Sequence, residues 1–220
     1  MRNAITCALL LSLAVAFAGV TPAFAQSPSL NQQLEVAQRA VQDAEKVYGA
    51  EHPDFARALL AVGALYRMMN EHAKAEVPIR RAVAILEKAL GPEHPEVAGN
   101  LTNLGGRLRD QGKFAEAEPI LKRALAIRER ILPPNDADIV RSRLGVANLY
   151  ADQGRFAEAD PLFQRCVAVL EGNKAYGTGY PNLPDTLRAY AAVLRKAGRA
   201  GEAAPMEARA NQLRPAAGQP

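Results

Sequence analysis

Two histidine–proline pairs, His52-Pro53 and His94-Pro95, stand 42 residues apart in this 220-residue chain. Histidine is the side chain most often recruited as a metal ligand or as a base near neutral pH. The spacing argues against both uses. Residues that recur at a fixed period belong to successive structural units, and neighbouring helices lie ~8 to 10 Å apart, whereas zinc takes nitrogen ligands at ~2.0 to 2.1 Å. Each histidine instead precedes a proline at an expected first helical position, where its side chain can cap the helix, and Asp136 holds the third such place. His72 stands where Phe114 and Phe156 recur and reads as a packing substitution. No HExxH, GxSxG, CxxC or phosphate-loop pattern occurs, and spacing assembles no nucleophile with a base and an orienting residue. The sequence therefore predicts no catalytic residue, no metal and no cofactor. Gly177-Thr178-Gly179 is not a dinucleotide loop, because Asn182 stands where a third glycine is needed and no strand precedes it. Cys166 aligns with Ala82 and Ala124 and reads as a small core residue, a reactive thiol being the rival use.

The same period governs the rest of the chain. Asp110-Gln111-Gly112-Lys113-Phe114-Ala115-Glu116-Ala117-Glu118-Pro119 reappears 42 residues later as Asp152-Gln153-Gly154-Arg155-Phe156-Ala157-Glu158-Ala159-Asp160-Pro161. Weaker copies start at Asn70 and Gly198. Each unit reads as two helices. One runs from about Pro95 to Asp110, with Leu101, Leu104 and Leu108 on one face and Gly105 and Gly106 allowing close approach. A turn at Gln111-Gly112 ends it, glycine being suited to the left-handed conformation after a helix. The partner helix spans about Phe114 to Leu132; Ala117, Leu121, Ala124, Leu125 and Ile131 are expected inside, and Lys122, Arg123, Arg128, Glu129 and Arg130 in water. Pro133-Pro134 stops it.

Composition agrees with an all-α chain: 49% apolar residues, no Trp and 5% aromatics, so Ala, Leu, Val and Ile must form the core. A net charge of +4 is too weak to argue for nucleic acid. The N-terminus reads as a secretory signal peptide. Arg2 precedes an apolar stretch from Ile5 to Ala18, followed by Ala23-Phe24-Ala25, small at both cleavage-site positions. The stretch is shorter than the ~20 residues of a spanning helix, a retained anchor being the competing reading. Cleavage after Ala25 would remove Cys7 and leave Cys166 alone, so packing without disulfides must hold an exported chain together.

These units resemble tetratricopeptide repeats, in particular the 42-residue subtype of kinesin light chains and many bacterial proteins. Besides the segments quoted above, the resemblance rests on Arg123-Ala124-Leu125-Ala126-Ile127, Arg81-Ala82-Val83-Ala84-Ile85 and the link Gly91-Pro92-Glu93-His94-Pro95. It covers about 30 to 213 and implies a right-handed superhelical solenoid of antiparallel helix pairs. In that frame the expected divisions are a signal peptide at 1–25, a capping half repeat at 26–51, repeats at about 52–91, 94–134, 136–172 and 184–213, and a disordered tail at 214–220. The link from Gly172 to Pro184 lengthens its period by two residues; it reads as an irregular connection, or as a lip in which Tyr176 and Tyr180 touch a ligand.

Superhelical stacks present their first helices on the concave side, where extended peptides or partner helices bind. Outward positions of those helices are thus the candidate contacts. Arg67, Arg109 and Arg195 share one register, from which Ala151 departs; Arg57 and Arg141 share a second, from which Gly99 and Asp185 depart; Arg188 is a further candidate. In the resembling family an asparagine at the middle of the first helix bonds the ligand main chain. Asn103 holds that place, Ala61, Gly145 and Ala189 break the ladder, and Asn148 lies one turn along. Arginine forks in a small-walled groove match an acidic or carboxylate-terminated peptide, the alternative being that they solvate a helix face or pair with neighbouring acids. The expected function is a periplasmic or secreted adaptor that binds a protein or peptide, without nucleic acid and without stable membrane insertion after cleavage. The other class is a structural, self-assembling envelope protein.

Overall fold

The computed structural model describes residues 28–172 and 182–213. Its helices are α1 Leu30–Tyr48, α2 Pro53–Met68, α3 His72–Leu90, α4 Pro95–Asp110, α5 Phe114–Ile131, α6 Ala137–Asp152, α7 Phe156–Gly172, α8 Leu183–Lys196 and α9 Ala200–Gln212. No strand occurs among the described residues. Helices α2 with α3, α4 with α5, α6 with α7 and α8 with α9 form antiparallel pairs, each pair packing on the next, while α1 packs on α2. The result is an all-α solenoid.

Local chemistry sets the boundaries. The Nδ1 atoms of His52 and His94 accept from the backbone N–H of Asp54 (3.1 Å) and Glu96 (3.2 Å), and the Asp136 carboxylate accepts from Asp138 N–H at 2.8 Å. The histidine–proline pairs are helix caps, and α1 opens on a capping box between Ser29 and Gln32. The turns inside each pair close alike: Glu71, Lys113, Arg155 and Arg199 each donate a backbone N–H to the carbonyl five residues earlier at 2.8 Å. This closure needs a left-handed residue between the helices. Gly112, Gly154 and Gly198 supply it, and Asn70 does so in the first pair with φ of 61°. His72 opens α3 at that turn, with its Nε2 2.8 Å from Asn70 Oδ1.

Small residues at fixed registers let the helices approach. Ala75, Ala117, Ala159 and Ala203 recur in one buried row and Ala82, Ala124, Cys166 and Ala210 in another. Cys166 lies in the core as its register required, and burial pushes its thiol up to about 12. The two adjacent glycines of α4 differ: a Cβ on Gly105 would fall 2.5 Å from Leu121 Cγ, whereas one on Gly106 meets nothing within 4 Å. Of these two, only Gly105 serves close approach, as Gly63 does against Ile79 in the preceding pair.

Two further expectations are corrected. Arg128, expected in water, is only 4% exposed. It occupies the register of the core residues Leu86 and Leu170 and inserts between α4 and α6. There its Nη1 donates to Ser142 Oγ (2.7 Å), the Asp138 carbonyl (3.0 Å) and Thr102 Oγ1 (3.3 Å). Ile131, expected inside, is 38% exposed because it is the last residue of α5 and no following turn covers it. The Gly172–Pro184 link, with Tyr176 and Tyr180, the leader and the tail after Leu213 fall largely or wholly outside the described residues.

Candidate ligand groove on the first helices

The first helices α2, α4, α6 and α8 carry the candidate residues on their outward positions, and the structure sorts these by what they touch. Arg57 is bound within the molecule. Its Nε and Nη2 donate to the two carboxylate oxygens of Glu96 on α4 at 2.9 and 2.8 Å, and its Nη1 donates to Asp54 at 2.7 Å. These bonds raise the Arg57 pKa and hold the Glu96 carboxyl below its usual range. Arg109 pairs with Asp110 (2.7 Å) and with Asp152 on α6 (3.4 Å). Arg141 donates to Asp138 at 2.8 Å. Arg188 donates to Asp185 at 3.0 Å, and Arg195 forks onto both oxygens of Glu207 at 2.7 and 2.6 Å. Arg57, Arg109 and Arg195 thus tie helices together, whereas the acids of Arg141 and Arg188 lie one turn earlier on their own helices.

The remaining candidates differ. The side chains of Arg67, Asn103 and Asn148 make no hydrogen bond or ion pair among the described residues. Arg67 and Asn103 come together in one cleft of about 370 Å³ between α2 and α4. Its walls include Ala61 and Ala64 from α2, its floor Leu60 and Ile79, and its rim Arg67, Asn103 and Arg107. Arg107 is the residue that the outward-register argument misses. It stands where the other repeats carry Leu65, Leu149 and Val193, so its departure from an apolar register was the available signal. Arg107 is half-buried, and its nearest carboxylate oxygen, on Asp110, is 4.0 Å away. Burial, followed by the positive charges of Arg67 and Arg109, lowers its pKa, against the opposing pull of Asp110.

Elsewhere cations meet carboxylates across successive repeats. Arg123 reaches Glu87 (2.6 Å), Arg155 reaches Glu118 (2.6 Å), Lys113 reaches Glu76 (2.7 Å) and Arg209 reaches Glu171 (2.6 Å). The α2–α4 cleft therefore contrasts with its surroundings: it gathers two guanidinium groups and a side-chain amide, and the one acid near them, Asp110, stands 4.0 Å from Arg107. No group of three His, Cys, Asp or Glu side chains among the described residues is placed to hold a metal ion. No helix among them is long and apolar enough to cross a membrane.

A solenoid of paired helices with a cleft between its first helices α2 and α4 defines the class: a repeat scaffold for protein–protein interaction. Tetratricopeptide repeat profiles match residues 34–88, 97–138 and 138–216, and the chain belongs to the tetratricopeptide repeat family. Proteins of this family are generally non-enzymatic scaffolds. Solved structures share the fold. The nearly identical TPR-like repeats of a protein described as a kinesin light chain from Podosopora anserina superpose with a TM-score of 0.70 at 21% identity over 83% of this chain and 86% of that one. BtubC (BKLC) from P. vanneervenii gives 0.69 at 19% identity, covering 88% and 95%. MamA AMB-1 gives 0.53 at 24%, covering 83% and 95%. No curated protein sequence matches the chain.

Proposed function

We propose that this chain is an exported adaptor that holds an extended, acidic segment of a partner protein in the groove of its first helices. One observation carries the reading. Arg67, Arg107 and Asn103 converge on the α2–α4 cleft with no carboxylate closer than Asp110, 4.0 Å from Arg107, while comparable arginines along the same face are paired with acids at 2.6 to 3.4 Å. Partly desolvated cations facing each other are costly unless an anion joins them, and a bound carboxylate supplies it. Placement in the periplasm or outside the cell rests on the leader, in which Arg2, the Ile5 to Ala18 stretch and Ala23-Phe24-Ala25 stand in signal-peptide order.

Self-assembly is the outcome against which this reading is tested. The array as described begins and ends on helices of the second type, α1 and α9. Head-to-tail stacking of copies would set one second helix on another, with no first helix between them. The test is affinity capture from envelope extract with the chain lacking residues 1–25, comparing wild type with Arg67→Glu. Circular dichroism confirms equal helix content and light scattering gives the mass. A partner retained by wild type and lost by Arg67→Glu supports the adaptor. Concentration-dependent polymers without any captured partner refute it, and an N-terminus still at Met1 in fractionated cells refutes export.

A further inference from the structure

We propose that Arg107 and Arg67 form a seat for one acidic side chain, Asp or Glu, of the bound segment, and that Arg107 determines its specificity. The inference deepens the adaptor reading and rests on it. Arg107 replaces a residue that is apolar in each other repeat, Leu65, Leu149 and Val193. Leu149 is fully buried and Val193 nearly so, so a leucine at 107 would continue the row. A guanidinium in that register forfeits apolar burial and stands partly desolvated, with Asp110 no closer than 4.0 Å. The neighbouring cation, Arg67, sits on the same cleft and adds repulsion rather than relief. Inside the molecule only Asp110, at 4.0 Å, opposes the charge of Arg107, whereas Arg128 and Arg143, the buried arginines at other leucine registers, have Ser142 and Glu129 as close partners at 2.7 and 2.6 Å.

The rest of the cleft fits the remainder of such a ligand. Asn103 lies four residues before Arg107, one helical turn or ~6 Å away. Its amide, exposed and without a partner, offers one donor and one acceptor to a main chain crossing α4. The turn between Asn103 and Arg107 matches the reach of an acidic side chain from its own backbone. Ala61 and Ala64 keep the opposite wall low, and Leu60 with Ile79 gives an apolar floor for the neighbouring side chain. The equivalent seat is missing at the next junction, where Leu149 stands in place of Arg107 and Arg109, the counterpart of Arg67, is paired with Asp110 and Asp152. One acid at one position of the ligand is therefore required.

The test selects ligands from a displayed library of random dodecapeptides with amidated C-termini, using wild type and Arg107→Leu. The leucine variant restores the register residue and keeps the fold, which circular dichroism and thermal melting verify. The expected result is enrichment of Asp or Glu at one position by wild type and loss of that enrichment by Arg107→Leu. Fluorescence polarisation of the enriched peptide then shows at least a tenfold weaker Kd for the variant, and the peptide's Glu→Gln form binds both proteins equally. Peptides selected without an acid, or bound equally by Arg107→Leu, overturn the seat while leaving the adaptor reading standing. Enrichment only when the peptides carry a free C-terminus overturns the side-chain assignment in favour of a chain-end carboxylate. Selection of no peptide refutes the groove adaptor itself and the seat with it.

Discussion

Gly105 and Gly106 are adjacent in sequence, both lie inside α4, and the structure predicts opposite consequences for replacing them with alanine. A Cβ at 105 would stand 2.5 Å from Leu121 Cγ and 2.7 Å from its Cδ2, while one at 106 meets nothing within 4 Å. Leu121 is fully buried between α4 and α6, so it has no solvent-side rotamer to adopt. Forcing an extra methyl into a packed core costs about 1 to 3 kcal/mol. Both substitutions also remove a helical glycine, which favours the folded state by about 0.5 to 1 kcal/mol. That term is common to the two variants and cancels in their difference. Gly106→Ala is therefore expected to be about 0.5 to 1 kcal/mol more stable than wild type, and to exceed Gly105→Ala by about 1 to 3 kcal/mol. At roughly 2 to 4 °C per kcal/mol for a chain of this size, the two melting temperatures should differ by at least ~2 °C. Urea unfolding followed by circular dichroism at 222 nm, with thermal melts alongside, gives both numbers. Gly105→Ala equal to or more stable than Gly106→Ala would refute the packing argument. The register accepts a methyl in the later repeats, where Ala147 and Ala191 occupy it fully buried, whereas at Gly63, one repeat earlier, a Cβ would meet Ile79 Cγ1 at 2.6 Å, so the clash belongs to the first two junctions rather than to every repeat.

Three other consequences can be measured. Arg143 is 3% exposed at a register otherwise held by Leu59, Leu101 and Leu187, and its Nη1 is buried without a partner; Arg143→Leu should stabilise the protein by about 1 to 3 kcal/mol in urea unfolding, and a lower midpoint would contradict this. Cys166 should resist a thiol-titrating disulfide reagent at pH 8 in the native state and react fully in 6 M guanidinium, because the thiol is buried and its pKa is pushed up to about 12; rapid native labelling would show that the core opens. The Glu76, Glu96 and Glu118 carboxyls are held below their usual range, each chiefly by a hydrogen bond from a cation: Lys113, Arg57 and Lys122 respectively. At acidic pH the unfolded chain therefore binds more protons than the folded one. Their contribution is present above the ordinary glutamate value of ~4.3 and lost as pH falls through the lower folded values. Melting temperature should drop between pH 5 and 3, and Arg57→Ala should reduce that drop; an unchanged acid limb would remove the Arg57–Glu96 pair from the account.

The sequence by itself determined the features that rest on local chemistry repeated at a fixed interval. The 42-residue period, the histidine and aspartate caps, the glycine turns and the small-residue rows are each set by neighbours within a turn or two of helix, and repetition makes them legible. Arg67 and Asn103 were legible in the same way, as outward positions of first helices. What only the tertiary structure decided is which charges remain available. The acids that neutralise Arg57 and Arg109 come from the next repeat, Glu96 and Asp152, and that of Arg195 from the paired helix, Glu207. Such pairs lie 12 to 43 residues apart in sequence, and no periodicity states their geometry. For the same reason Arg128 and Arg107 share the composition of a solvated face yet lie in a core register and on a cleft rim. A charged side chain has the same identity whether its carboxylate is present or missing; only the packing of one repeat on the next shows that acids reach Arg57 and Arg109 closely while Arg107 has none nearer than 4.0 Å.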